Sequence, residues 1–166
     1  MNNHQQILQK IQTKESLLNT IKQWKQEGQK IVFTNGCFDL IHRGHVDYLA
    51  KASDYGTRLI VAINTDASIS KLKGTHRPIQ DQDSRTQIIA SMAMVNAVIL
   101  FNEETPLTLI QDIQPDVLVK GNDYKPEEII GYQTVKDNGG TIITIDILPG
   151  FSTSNIEKKI RFERFF

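Results

Sequence analysis

Five short apolar runs, rich in β-branched side chains, constrain the fold of this chain more than any other feature. They occupy residues 30–34, 58–63, 97–101, 116–120 and 141–145. Each run is almost continuously apolar and does not alternate with polar residues. That pattern is typical of strands that are covered on both faces of a parallel sheet. The sequence therefore predicts five buried strands.

The segments between these runs have helical spacing and carry signals for helix ends. Thr13 is suited to begin a helix that Gly28 ends, and Asp83 is predicted to cap the helix before the third strand. Pro126 is predicted to open a helix after the fourth strand, and Ser154 to cap the last one. Strands and helices alternate, which predicts a doubly wound α/β fold with one five-stranded parallel sheet.

Length and charge narrow the class of protein. A chain of 166 residues suits one compact domain, which we place at residues 30–166, preceded by a helical leader at 1–29. The leader either packs on the same domain or contacts a partner. Nineteen basic residues balance nineteen acidic ones, which argues against a strongly basic nucleic-acid-binding protein.

Cysteine content and hydropathy indicate the cellular compartment in which this protein is expected. Cys37 is the single cysteine, so the chain has no internal disulfide, and its start is polar. No stretch approaches the ~20 apolar residues of a membrane-spanning helix. We therefore expect a cytoplasmic protein with neither nucleic acid nor membrane as a partner.

The first predicted strand leads directly into the segment TNGCFDLIHRGH at residues 34–45. A segment that ends a strand and starts a helix presents unpaired backbone N–H groups, which favour anions. His42 and His45 are three residues apart and share one face of the first helical turn. Two imidazoles there are able to donate hydrogen bonds to a phosphorus centre as its negative charge grows. Gly44, between them, leaves room for a phosphate to approach.

The longest polar segment, residues 71–82, is rich in Lys, Arg and Gly. In a doubly wound fold, such a loop lies at the carboxyl ends of the strands, where ligands bind. Because it offers few apolar anchors, we expect it to be mobile without ligand and ordered with it.

The motif resembles the HxGH signature of the nucleotidyltransferase superfamily, which includes cytidylyltransferases and pantetheine-phosphate adenylyltransferase. Segments 59–74, 77–79, 100–110, 115–124 and 150–154 are also similar, in order and spacing, to the heptose 1-phosphate adenylyltransferases. In many Gram-negative bacteria such an enzyme is half of a bifunctional protein that also carries a sugar kinase. The resemblance covers most of residues 13–160.

This resemblance implies a Rossmann-like nucleotidyltransferase fold and an enzyme that transfers AMP from ATP to D-glycero-β-D-manno-heptose 1-phosphate. The products would be ADP-heptose and pyrophosphate, for lipopolysaccharide or surface-glycan synthesis. The resemblance further implies Mg²⁺ bound with ATP and a homodimer.

The same resemblance assigns roles to individual residues. It makes His42, His45 and Lys73 catalytic and places Asp39, Asp66 and Lys71 at the acceptor substrate. The residues that it places at the nucleotide are Asn35, Gly36, Cys37, Phe38, Gly44, Arg85, Lys120, Gly121, Asn122, Gly150, Ser152, Thr153 and Ser154.

Other interpretations of these residues remain open at this stage. Cys37, His42 and His45 are a candidate set of zinc ligands. Asp39 is a candidate acceptor for loop N–H groups, and Asp66 a candidate helix cap.

Other functions also remain open. A cytidylyltransferase acting on a small phosphorylated alcohol such as glycerol 3-phosphate is one alternative. However, residues 147–149 lack the arginine that such CTP-using enzymes carry before their second signature. A nucleotide-binding regulatory module without turnover is the other alternative.

Overall fold

A computed structural model describes residues 2–122 and 125–162. Three parts of the chain lie outside the described residues: Met1, residues 123–124 and residues 163–166. Residues 123–124 are the end of the similar segment 115–124, and residues 163–166 are the end of the predicted domain. The structure contains one five-stranded parallel sheet in the order β3-β2-β1-β4-β5. Its strands are β1 (Ile31–Gly36), β2 (Arg58–Asn64), β3 (Ala97–Phe101), β4 (Val117–Gly121) and β5 (Thr141–Ile145). The predicted doubly wound α/β fold is confirmed.

Helices connect these strands. They are α1 (Asn3–Lys10), α2 (Lys14–Gln26), α3 (Arg43–Ser53), α4 (Asp66–Lys73), α5 (Gln82–Ala90), α6 (Leu107–Ile113), α7 (Tyr132–Asp137) and α8 (Thr153–Phe162). A short 3₁₀ turn, Pro126–Glu128, precedes α7.

The apolar runs are continuous because both faces of the sheet are covered. Successive side chains of a strand point to opposite faces. Ile31 and Phe33 therefore belong to one buried cluster, while Val32, between them, belongs to another. The strand order reverses between β1 and β4, so the carboxyl ends of these two strands border a crevice. In open α/β sheets, ligands bind at such a point.

The N-terminal segment packs on the same core. Leu17 and Ile21 of α2 are buried in the cluster that contains Phe33. Between α1 and α2, Ile11 forms a parallel bridge with Val98 of β3.

Several helix starts differ from the sequence-based prediction. Asp81, not Asp83, caps α5, because its carboxylate accepts hydrogen bonds from both the backbone N–H and the hydroxyl of Ser84, at 2.8 and 2.7 Å. Ser152, not Ser154, caps α8, and its Oγ accepts from the backbone N–H of Asn155 at 3.1 Å.

The connections around α4 and after β4 also differ. Helix α4 continues to Lys73, so the irregular segment that follows it is shorter than predicted and holds residues 74–81. Pro126 opens only the 3₁₀ turn, and the next α-helix starts at Tyr132.

Candidate active site

The turn after β1 is shaped by close contacts of its own residues. β1 ends at Gly36, and Phe38 adopts a left-handed backbone conformation with φ 49°. A Cβ on Gly36 would lie 3.0 Å from the Phe38 ring, so a larger residue at this position would push the ring away. The Phe38 ring in turn contacts His45 edge-on, with 5.4 Å between the ring centroids. The turn therefore places the start of α3 directly over the end of β1.

The two histidines of the motif are stacked at the start of α3. Their ring centroids are 3.9 Å apart and their planes differ by 21°. His42 is the N-cap residue, yet its side chain makes no capping hydrogen bond. Among the described residues, neither histidine's buried Nδ1 has a hydrogen-bond partner. Buried polar atoms normally have partners, so both imidazoles are free to bind a ligand.

Electrostatics keep both imidazoles neutral at neutral pH. Burial lowers the pKa of His45 to about 4, and the positive charges of His42 and Lys73 act in the same direction. Burial also lowers the pKa of His42. A bound anion would oppose these effects by favouring the protonated form.

Gly44 allows the second signature segment to approach the first. A Cβ on Gly44 would lie 3.2 Å from Cβ of Phe151 and 3.0 Å from the His42 ring. The Arg43 guanidinium lies 5.5 Å from the centroid of the Phe151 ring. This close approach brings the N-terminus of α8, at Thr153, next to the histidines.

Two cavities of about 470 Å³ each flank this junction. The first is polar and is lined by Cys37, Phe38, Asp39, His45, Lys73, His76, Arg77, Thr153 and Ser154. The second is lined by His42, Arg43, Gly150, Phe151, Ser152, Asn155, Ile156, Lys158 and Lys159. Cations and the N-termini of two helices therefore surround the histidine pair, an arrangement that attracts a polyanion.

Asp39 holds the segment after α4. Its carboxylate accepts hydrogen bonds from the Arg77 guanidinium at 2.7 Å and from the backbone N–H groups of Ile79 and Gln80 at 2.9 Å each. Burial alone would raise the pKa of Asp39, but these donors outweigh it and hold the pKa below its usual range. Arg77 also pairs with Glu157 of α8. The open interpretation of Asp39 as an acceptor for loop N–H groups matches these contacts.

Arg85 lies beneath the site and lines neither cavity. It is fully buried and donates to the Asp66 carboxylate at 2.7 Å, to the Cys37 carbonyl at 2.7 Å and to the Gln80 carbonyl at 3.1 Å. Asp66 is not the cap of α4, because Thr65 accepts the capping hydrogen bond. These contacts favour a structural role for Arg85 and Asp66, in which they fix the turn at Cys37.

The remaining predicted residues lie at the end of β4 or on α4. Lys120 is half-buried and donates to the side-chain oxygen of Asn35. Asn122 donates to the Asp146 carboxylate at 2.6 Å, and the exposed Lys71 lies near the end of α4. The structure therefore brings His45, Lys73 and Thr153 together in one cavity and places Lys120 outside it.

Sequence reasoning missed the network formed by Arg77 and Glu157. These two residues are far apart in the chain, and no local spacing links them. It also omitted Arg43, Lys158 and Lys159, which line the second cavity. A signal existed for the lysines, since a basic helix face near a phosphate motif adds positive potential.

The described residues do not support a metal-binding motif. Within residues 2–122 and 125–162, no group of three His, Cys, Asp or Glu side chains is placed to hold a metal ion. Cys37 instead has Asn64 as its polar contact, with 3.8 Å between Sγ and Oδ1. The zinc interpretation of Cys37, His42 and His45 is therefore not supported.

The sequence matches the family described as cytidylyltransferase-like over residues 33–159. The chain belongs to this family. Relatives include the bifunctional protein HldE of Methylobacillus flagellatus, 48% identical over 91% of this chain and 31% of that protein. HldE of Actinobacillus succinogenes is 52% identical over 91% of this chain and 32% of its own length. The chain thus spans about a third of the curated relatives it matches.

Solved structures of the same fold were also found. A lipopolysaccharide core biosynthesis protein from Thermoplasma volcanium superposes with a TM-score of 0.60 and 29% identity, over 73% of this chain and 98% of that one. A pantoate-beta-alanine ligase from Francisella tularensis gives a TM-score of 0.58 at 17% identity, over 93% of this chain and 78% of that one, and shows the shared fold alone. In the part of this family member that the structure describes, no helix is both long and apolar enough to cross a membrane.

Proposed function

We propose that this chain is an adenylyltransferase that moves AMP from ATP to D-glycero-β-D-manno-heptose 1-phosphate. A phosphate oxygen of the sugar phosphate attacks the α-phosphorus of ATP and forms the new P–O bond. The bond from the α-phosphorus to the oxygen that bridges to the β-phosphate breaks. The products are ADP-heptose and pyrophosphate, which carries away the electron pair of the broken bond.

One observation carries the proposal of nucleotidyl transfer: the stacked histidine pair with its buried, unpartnered Nδ1 atoms, set between two helix N-termini. The cationic side chains of Lys73 and Arg77 line the cavity beside it, and the acidic side chain there, Asp39, is paired with Arg77. The described site holds no activated protein nucleophile. Such a site works by positioning and by stabilising charge on phosphate oxygens, which is what direct transfer between two phosphates requires.

Different residues of the chain bind the phosphates, neutralise their charge and hold the nucleoside. His45 and the backbone N–H groups at Thr153 and Ser154 bind oxygens of the reacting phosphates from opposite sides of the first cavity. Lys73 ends α4 at the cavity wall, where its ammonium neutralises charge on the departing pyrophosphate. The second cavity, with Arg43 and Phe151, takes the nucleoside.

Mg²⁺ enters this proposal as part of the substrate MgATP. Asp39 is the acidic side chain that lines the first cavity, and Arg77 and two backbone N–H groups already occupy its carboxylate. The donor set thus fits no metal cage made by the protein. Mg²⁺ commonly binds through substrate phosphates with few protein ligands, and that mode fits this cavity.

The choice of sugar is supported by the relatives. The proteins named bifunctional protein HldE match this chain at 48% and 52% identity. One structural neighbour is named for lipopolysaccharide core biosynthesis and is 29% identical. The segments quoted above for the resemblance to heptose 1-phosphate adenylyltransferases lie within the matched region.

A screen of nucleoside triphosphates against sugar 1-phosphates, measured by pyrophosphate release, tests the proposal. We expect release with ATP and D-glycero-β-D-manno-heptose 1-phosphate, and ADP-heptose as the second product. Release with CTP and glycerol 3-phosphate instead would favour the cytidylyltransferase alternative. Nucleotide binding without release under any combination would favour the regulatory module.

We further propose that the chain forms a homodimer and acts in the cytoplasm. Light scattering of the purified protein tests the oligomeric state. A monomer at the concentrations used for the activity screen would contradict the dimer without affecting the proposed reaction.

A further inference from the structure

A third, smaller cavity lies beside Lys120 at the end of β4. It has a volume of about 160 Å³ and is lined by Glu104, Thr105, Pro106, Lys120, Glu128 and Ile129, together with Ile130. Its walls are formed by the segment after β3, by the end of strand β4 and by the 3₁₀ turn that follows β4. Its volume suits one sugar ring and is too small for a nucleoside triphosphate.

Lys120 is the cation that lines this cavity, and its ammonium group is able to make further hydrogen bonds. An ammonium has three donors, and among the described residues the side chain of Lys120 has one hydrogen-bond partner, Asn35. The ion pairs found in the described ranges do not include Lys120. Burial lowers the pKa of Lys120 to about 8, with a small opposing effect from Cys37, so the ammonium remains mostly charged at neutral pH. A partly buried charge is costly unless it is paired, which favours an anionic ligand here.

The position of Lys120 connects this cavity to the histidines. Asn35, its partner, is two residues before Cys37, which lines the first cavity together with His45. β1 and β4 are neighbouring strands, so Lys120 lies at the crevice where the strand order reverses. An anion held by Lys120 is therefore next to the cavity where the α-phosphorus of ATP would lie.

Other residues that line the cavity are suited to hydroxyl groups. Glu104 and Glu128 are exposed and border it, and Ile129 supplies a buried apolar surface. Carboxylates accept hydrogen bonds from hydroxyls, and an apolar surface contacts the C–H face of a sugar ring. One cation together with two carboxylates matches a phosphorylated polyol, and the carboxylates disfavour a ligand with negative charge along its whole length.

We propose that this cavity is the acceptor subsite, in which Lys120 binds the phosphate of the incoming sugar and the carboxylates of Glu104 and Glu128 bind its hydroxyls. The inference rests on the proposed function and deepens it, because it names the residues that select a sugar phosphate. It moves Lys120 from the nucleotide site, where the sequence resemblance placed it, to the acceptor.

The test is the kinetics of Lys120→Met, with ATP and the heptose 1-phosphate varied separately. The substitution removes a charged donor, so we expect the KM for the sugar phosphate to rise about 10- to 100-fold while the KM for ATP stays within about twofold. Lys120→Arg should recover part of the loss, because it restores the charge. Lys136→Met, at an exposed position on α7, is the matched control and should leave both constants unchanged.

A second variant keeps the proposal testable if Lys120→Met fails to fold. Glu128→Gln is at an exposed position, and we expect it to raise the KM for the sugar phosphate without changing that for ATP. A rise in the KM for ATP alone, or in both constants equally, would overturn the acceptor assignment, as would no change in either. If the wild-type chain uses a different phosphorylated acceptor, the sugar in the proposed function is wrong, and the same variants decide the role of Lys120 with that acceptor.

Discussion

At the scale of single residues, the site depends on two half-buried imidazoles whose buried Nδ1 atoms have no hydrogen-bond partner among the described residues. His42 occupies an N-cap position without capping, and His45 is stacked on it. Stacking two imidazoles at 3.9 Å is tolerable because both are neutral, and burial enforces that neutrality by lowering both pKa values. Buried nitrogen atoms that lack a hydrogen-bond partner in the protein favour a ligand that supplies one.

Replacing either histidine by alanine should reduce turnover while leaving the fold intact. Loss of one donor that stabilises transition-state charge costs a factor of about 10²–10³ in kcat. We expect His42→Ala and His45→Ala each to lose activity on that scale, measured by pyrophosphate release. His4→Ala, at an exposed position on α1, is the control and should behave like the wild type. Near-normal kcat in both site variants would exclude the histidines from catalysis.

Acid should destabilise the protein through His45. Its pKa is about 4 when folded and about 6.5 when unfolded, so between these values the unfolded chain binds more protons. The free energy of unfolding therefore falls as the pH drops through this window. His45→Gln lacks this titration, and we expect it to lose less stability than the wild type between about pH 7 and about pH 5. Urea unfolding at both pH values measures the difference, and equal losses would contradict the lowered pKa.

At the scale of secondary-structure elements, Arg77 joins three pieces of chain. It contacts Asp39 in the turn before α3 and Glu157 in α8, and it lies in the segment between α4 and α5. The sequence predicts that residues 71–82, which include this segment, are mobile without ligand. In the structure its second half is tied down by hydrogen bonds from Ile79 and Gln80.

Asp39→Asn should loosen this segment. The amide keeps the size of the carboxylate but removes its charge and replaces one of the two acceptor oxygens with an NH₂ group, so the three donors share one uncharged acceptor oxygen and their hydrogen bonds weaken. We expect faster hydrogen exchange at the backbone amides of Ile79 and Gln80. Asp54→Asn, at an exposed position after α3, is the matched control and should leave these amides unchanged. Unchanged exchange in Asp39→Asn would mean that other contacts hold the segment.

The elements themselves show where sequence reasoning succeeds. All five strands were predicted within about two residues, because continuous apolar runs signal strands that are buried on both faces. The motif at residues 34–45 located the histidine pair, since that signal is local. Helix starts were less certain, because Asp81 and Asp83 are both suitable caps and only the final geometry chooses one. The buried role of Arg85 could not be predicted from local spacing, since two of its three acceptors, Cys37 and Asp66, are 48 and 19 residues away in the chain.

At the scale of the whole molecule, the chain has one core on each face of a single sheet, and the N-terminal helices contribute to it. Leu17 of α2 is 1% exposed and lies in the same cluster as Phe33 of β1, the strand that leads into the histidine motif. Lys25, near the end of α2, donates to the carbonyl oxygens of Ile113 and Gln114 at the C-terminal end of α6. The segment before residue 30 thus supports the strand that positions the site.

Leu17→Ala should destabilise the entire domain. Removing a fully buried leucine side chain leaves a cavity, and such changes cost about 2–5 kcal/mol of unfolding free energy. We expect a loss in this range, with a single cooperative transition in urea, because α2 shares its core with the sheet. Leu8→Ala is the matched control, since that side chain is 45% exposed on α1 and its removal should cost far less. A small loss for Leu17→Ala, or a separate early transition, would show that the N-terminal helices are an independent unit.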